Sequence, residues 1–130
     1  MKKVIDLYTT PTSLREASTR LESPADFAVC LEQDNTVTVA GSVDAESSHL
    51  LRNCLSTAVK RFPNEVILVD TRDVSFIDSY GLRAILDARF EAHEAGCDIV
   101  LWMPSPAVER LVDHTRSEDL FRVRGIKVVA

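Results

Sequence analysis

No apolar run in these 130 residues approaches the roughly 20 needed to span a bilayer. Met1-Lys2-Lys3 begins like a secretion signal, but Asp6 and Thr9-Thr10-Pro11-Thr12 interrupt any apolar stretch. A cytoplasmic protein without membrane insertion is expected. Cysteine is scarce and does not pair: Cys30, Cys54 and Cys97 are odd in number, widely spaced and set in apolar patterns. Buried free thiols are expected, not disulfides or a metal site. Positive charge is not in excess, with 15 Lys and Arg against 20 Asp and Glu and a net charge of −5. That argues against a nucleic-acid backbone as the main partner. His49, His93 and His114 have no metal-ligand spacing, and no cofactor site is expected.

What is present fits one soluble domain with a real core: 45% hydrophobic and 27% charged residues. The organising stretch is Val66 to Glu94. The apolar run Val66-Ile67-Leu68-Val69 stops at Asp70, and a polar connection leads to Phe76-Ile77-Asp78-Ser79-Tyr80-Gly81. Leu82, Ile85, Leu86 and Phe90 then recur at helical spacing and predict one buried helix face. Gly96 stops that helix, and Ile99 to Met103 form a second apolar run. The stretch reads strand, loop, helix, strand. Strands without polar alternation imply burial on both faces, as in a mostly parallel sheet covered by helices.

Around it, Phe27–Leu31 and Thr36–Ala40 predict an antiparallel hairpin turning at Gln33-Asp34-Asn35. Gly41-Ser42-Val43-Asp44 turns into a helix with Asp44 as N-cap and Glu46 in its first turn. Its apolar stripe is Leu50, Leu51, Cys54, Leu55, Ala58 and Val59, and Phe62-Pro63 ends it. Ser105 caps a third helix with Pro106 at its first position and Val108, Leu111 and Val112 buried. Arg116 to Asp119 is a charged loop, and Leu120–Val123, with Ile126–Val129 behind it, supplies a last strand or two. The expected fold is α/β, in the order β-β-α-β-α-β-α-β, with one mixed sheet flanked by helices over residues 26–130. Residues 1–25 form an N-terminal extension. Within it Val4, Ile5 and Leu7 suit a short strand, and Ser13 to Leu21 suits either a short helix or a partly ordered arm.

Asp78-Ser79 at the head of the second helix supports two readings. One residue caps the helix and does nothing else, or the Ser79 hydroxyl faces solvent and takes a phosphate, which a helix N-terminus tolerates well.

The element order, Gly41-x-Val43-Asp44 before the first helix, Ile77-Asp78-Ser79-Tyr80-Gly81-Leu82 at the second and Ser105-Pro106-Ala107-Val108-x-Arg110-Leu111 resemble the STAS family. Within it, bacterial anti-sigma factor antagonists are the nearest likeness, over roughly Asp26 to Val123. The resemblance implies partner switching. The unmodified antagonist binds an anti-sigma factor that is also a serine kinase and so frees a sigma factor for transcription. Phosphorylation at the position of Ser79 releases it, and a PP2C-type phosphatase resets it. It implies a partner face of Asp44, Asp78, Ser79, Tyr80 and Gly81 on a monomer or weak dimer, and no catalysis. Three departures stand out: Ser42 where Glu is common, Tyr80 where a small residue is common, and Arg116-Ser117-Glu118-Asp119 where Gly is common.

Competing readings are weaker. A hydrolase lacks its nucleophile elbow, since Ile77 stands where Gly belongs. A receiver domain would use Asp70 at a strand end, but the opening hairpin breaks its βα alternation. The alternative inside the fold is a non-switching STAS docking subunit of a stress-signalling assembly or transporter complex.

Overall fold

The computed structural model describes residues 26–123. The elements expected at Val4 to Leu7, Ser13 to Leu21 and Ile126 to Val129 lie outside the described residues. Strands β1 (Phe27–Leu31) and β2 (Thr36–Val43) form the expected antiparallel hairpin. Asn35 makes its turn at a φ of 59°, a left-handed conformation that asparagine tolerates. Helix α1 (Ser48–Arg61), β3 (Val66–Ile77), helix α2 (Ser79–Glu94), β4 (Asp98–Trp102) and helix α3 (Pro106–Thr115) follow. The sheet order is β1-β2-β3-β4; β2, β3 and β4 run parallel, which long helical crossovers permit.

Helices α1 and α2 pack on each other and on the sheet, and α3 packs against β3. Val29, Leu31, Val37, Val39, Ile67, Val69, Ile99 and Leu101 from the strands meet Leu51, Leu55, Ile85, Val108 and Val112 from the helices in one apolar core. Helix α1 buries the predicted stripe except Leu50, which is half-buried, and carries Lys60 and Arg61 in its last turn, matching the dipole. Ser105 caps α3 through a bond from the Val108 N–H at 3.2 Å, with Pro106 next, as expected.

The structure corrects several expectations. Strand β3 does not stop at Asp70 but continues to Ile77, and β2 runs on through Gly41 to Val43. Their pairing slips between Thr38 and Ala40 and again between Gly41 and Ser42, each time placing an extra residue on β3. These bulges change the buried period from two to three, at Thr71, Val74 and Ile77, which reads in sequence as a polar connection. Asp70 is therefore a mid-strand residue, tied to Arg72, and not a strand end. Burial on both faces holds for β4 from Asp98 to Leu101, but Val66 and Leu68 of β3 are only half-buried. Leu86 and Phe90 do not share the buried face of α2: they are 40% and 69% exposed, and Leu82, Ile85, Ala88, Arg89 and Ala92 are inside. The last strand is replaced, among the described residues, by a 3-10 turn at Glu118–Phe121 that seats Leu120 in the core.

That turn is fastened by a buried cation. Arg89 Nε lies 2.9 Å from Asp98 Oδ1, and its other nitrogens donate to the Asp119 and Arg122 carbonyls. Asp98 also accepts the Ile99 N–H at 2.8 Å and lies 2.7 Å from His93 Nε2. The loop after α3 keeps a glycine-like path without glycine, because Arg116 takes the left-handed conformation at a φ of 58°.

Candidate functional site

Val43 and Ile77 are register partners at the ends of the parallel strands β2 and β3. The next residues, Asp44 and Asp78, therefore open two turns side by side where α1 and α2 begin. The carboxyl ends of parallel strands are where open α/β sheets commonly place binding sites.

Asp78 is the N-cap of α2. Its Oδ1 accepts the Tyr80 N–H at 2.9 Å and the Gly81 N–H at 3.1 Å, and its carbonyl accepts the Leu82 N–H at 3.0 Å. Its own N–H donates to the Val43 carbonyl at 3.1 Å, joining the two turns. Capping is thus complete without Ser79. Ser79 is the first residue of α2 and is exposed, and its hydroxyl has no hydrogen-bond partner among the described residues. Tyr80 beside it is 62% exposed.

Gly81 faces inward. A Cβ there would sit 2.6 Å from Val43 Cγ1 and 2.9 Å from Ile77 Cγ1. The close backbone approach that requires glycine is to the ends of β2 and β3, beneath the site, and not to a docked partner. Asp44 is not the N-cap of α1, which begins four residues later. Its Oδ1 accepts the Glu46 and Ser47 N–H groups at 3.0 and 3.2 Å and closes a turn ahead of the helix, so Glu46 lies outside the first helical turn. Ser47, fully buried and not singled out in the sequence, receives the Asp44 N–H on its hydroxyl and donates to the Ser42 carbonyl at 2.8 Å. The Asp-x-x-Ser spacing, a local side-chain-to-backbone pattern, was its only signal. Ser42, the departure from Glu, bonds Asp26 Oδ2 at 2.9 Å.

Beside Tyr80 the starts of α1 and α2 form a shallow cleft of about 210 Å³ lined by Ser48, His49, Arg52, Tyr80, Arg83 and Asp87. Arg52 bonds Glu91 Oε1 at 2.7 Å, and Ser56 donates to the same carboxylate. Desolvation pushes Glu91 up, but the hydrogen bonds from Arg52 and Ser56 and the nearby positive charges outweigh it and leave its pKa below the usual value. A larger cleft of about 500 Å³ adjoins Ile77 between β3 and α3, with Phe76, Arg110, Leu111 and His114 on its walls. His93 stands near the far end of α2, about 20 Å along the axis from Ser79, and is held by Asp98.

Among the cysteines, Cys54 and Cys97 are buried and Cys30 is half-buried. Burial, with a smaller contribution from Cys30, pushes the Cys54 thiol up to about 12, so it stays protonated and unreactive. No helix of the described residues is long and apolar enough to cross a membrane.

The STAS domain family model matches residues 28–127. An anti-sigma F factor antagonist from Paenibacillus polymyxa is 28% identical over 90 residues, covering 69% of this chain and 74% of that protein. The crystal structure of an anti-sigma factor antagonist from Mycobacterium paratuberculosis superimposes with a TM-score of 0.61 at 23% identity, over 82% of this chain and 92% of that one. The unphosphorylated form of the anti-sigma factor antagonist SpoIIAA gives 0.58 at 24% identity, over 74% and 85% of the two chains. At these identities the structural likeness speaks for the fold.

Proposed function

The chain belongs to the STAS domain family, and from that premise we propose that it is an anti-sigma factor antagonist switched by phosphate on Ser79. In the unmodified form the turn at Asp44, the head of α2 and Tyr80 make a polar and aromatic docking face for an anti-sigma factor that is also a serine kinase. The kinase transfers the γ-phosphoryl group of ATP to the Ser79 Oγ, releasing ADP and the hydroxyl proton. The product carries about −1.5 to −2 charge at the centre of the face. An interface fitted to a hydroxyl would then have to desolvate a dianion for which the partner offers no matching charge, a cost of several kcal/mol. The partner leaves, and a PP2C-type phosphatase restores the hydroxyl. The chain acts in the cytoplasm as a binding protein, not as an enzyme.

The observation that carries this reading is the division of labour at the helix start. Asp78 satisfies the free N–H groups, and Ser79 is left exposed with no structural task. Asp78 and Gly81 then act by holding Ser79 and Tyr80 in place. The Paenibacillus polymyxa relative supports the general role. A serine hydrolase is disfavoured, because His93 is remote and engaged by Asp98.

The test is capture of the tagged chain from its own cells with phosphosite mapping by mass spectrometry, for wild type, Ser79→Ala and Ser79→Asp. The expected result is phosphate on Ser79 in wild type, retention of the kinase partner by Ser79→Ala and its loss by Ser79→Asp. A stable assembly held equally by all three, with no phosphate on Ser79, would instead point to a non-switching docking subunit.

A further inference from the structure

We infer that Arg83 is a receiver built into helix α2 for a phosphate on Ser79, so that the modified form presents a guanidinium–phosphate pair across the cleft beside Tyr80. The inference rests on reading Ser79 as the modified residue. Ser79 and Arg83 are four apart on α2, a spacing that puts their side chains on one face within reach of each other. Helical side chains lean toward the N-terminus, which aims position 83 at the turn that holds Ser79. In the unmodified protein Arg83 instead reaches the other way, to Asp87 Oδ1 at 3.3 Å, with side chains 76% and 53% exposed. A base placed before an acid at this spacing is the weaker orientation, and an acid placed before a base is the stronger. A phosphate on Ser79 would create the stronger one with a larger charge and three acceptor oxygens, matched to the fork of a guanidinium.

The surroundings favour Arg83 over other cations. Arg52 across the cleft is engaged by Glu91 at 2.7 Å. His49 lines the same cleft from α1, and the acids nearby are Asp87 on α2, Asp44 on the adjoining turn, which accepts the Glu46 and Ser47 N–H groups, and Asp78, whose carboxylate is occupied as the cap. Phosphorylation would thus do two things at once. It adds charge to the docking face, and it draws Arg83 off Asp87 to lie over the cleft mouth, changing the shape that a partner meets.

The test needs no partner. Phosphoserine is installed at position 79 of the full chain during synthesis, and its second ionisation is followed by phosphorus NMR. The expected value lies below the usual pKa of about 6, and Arg83→Gln raises it by about half a pH unit. Arg83→Lys restores part of the shift, and Asp87→Asn, which removes the competing carboxylate, lowers the value further. Identical titration of wild type and Arg83→Gln would overturn the inference. Because the phosphate is placed synthetically, this outcome is separate from whether a kinase modifies Ser79 in the cell.

Discussion

At Ser79 a modification can be added without touching the fold, because the neighbouring carboxylate already closes the helix end. The pair Asp78-Ser79 was legible in sequence as a helix start with Ser79 as candidate phosphosite; which of the two caps the helix needed coordinates, since both types cap well. Gly81 was placed by the family resemblance in the partner face. Its reason lies in Val43, 38 positions earlier, whose Cγ1 takes the space a side chain would need. Gly81→Ala gains helix propensity but forces two core side chains to move, so a net loss of about 1–3 kcal/mol is expected. Urea unfolding followed by circular dichroism measures it; an unchanged midpoint would show that Val43 and Ile77 yield freely.

At the scale of elements, helix α1 and the hairpin were readable because their apolar patterns are regular. Strand β3 was readable for its first third, Val66 to Val69. The rest hides behind two bulges that break alternation, and only the register with β2 reveals it. Helix α2 was misread on one side, because Leu86 and Phe90 share helical spacing with Leu82 while the buried stripe is built from Ala88, Arg89 and Ala92. A buried arginine is the unusual choice there, and it holds β4 and the 3-10 turn together. Arg89→Ala would take the guanidinium from the buried Asp98 carboxylate and from two carbonyls of the 3-10 turn, and a loss of about 3–5 kcal/mol in unfolding free energy is expected. The double change Arg89→Met with Asp98→Leu should recover much of it in the same urea assay.

The clasp between α1 and α2 carries a pH signature. Glu91 has a folded pKa below its ordinary value of 4.5, so the unfolded chain binds the proton more readily. Its contribution is present above that value and is lost as pH falls through the lower folded pKa. Melting temperatures of wild type and Glu91→Gln should therefore differ at pH 7 and converge in acid. A constant gap at all pH values would mean that the negative charge of Glu91 adds nothing to stability.

For the whole molecule, the family motifs and the element order made the α/β architecture and its mixed sheet legible, and the STAS match covers 100 of the 130 residues, 28 through 127. What pattern could not supply is how parallel strands bring Asp44 and Asp78 to neighbouring turns, or how the starts of two helices form a cleft with Tyr80 on its rim. The proposed docking face depends on that assembly. One measurement tests the switch most directly: the affinity of the anti-sigma factor kinase recovered with this chain for the unmodified protein and for the same protein carrying phosphate on Ser79. Burial of a dianion for which the partner offers no matching charge predicts binding weaker by about a hundredfold or more in the phosphorylated form. Equal affinities for the two forms would contradict it.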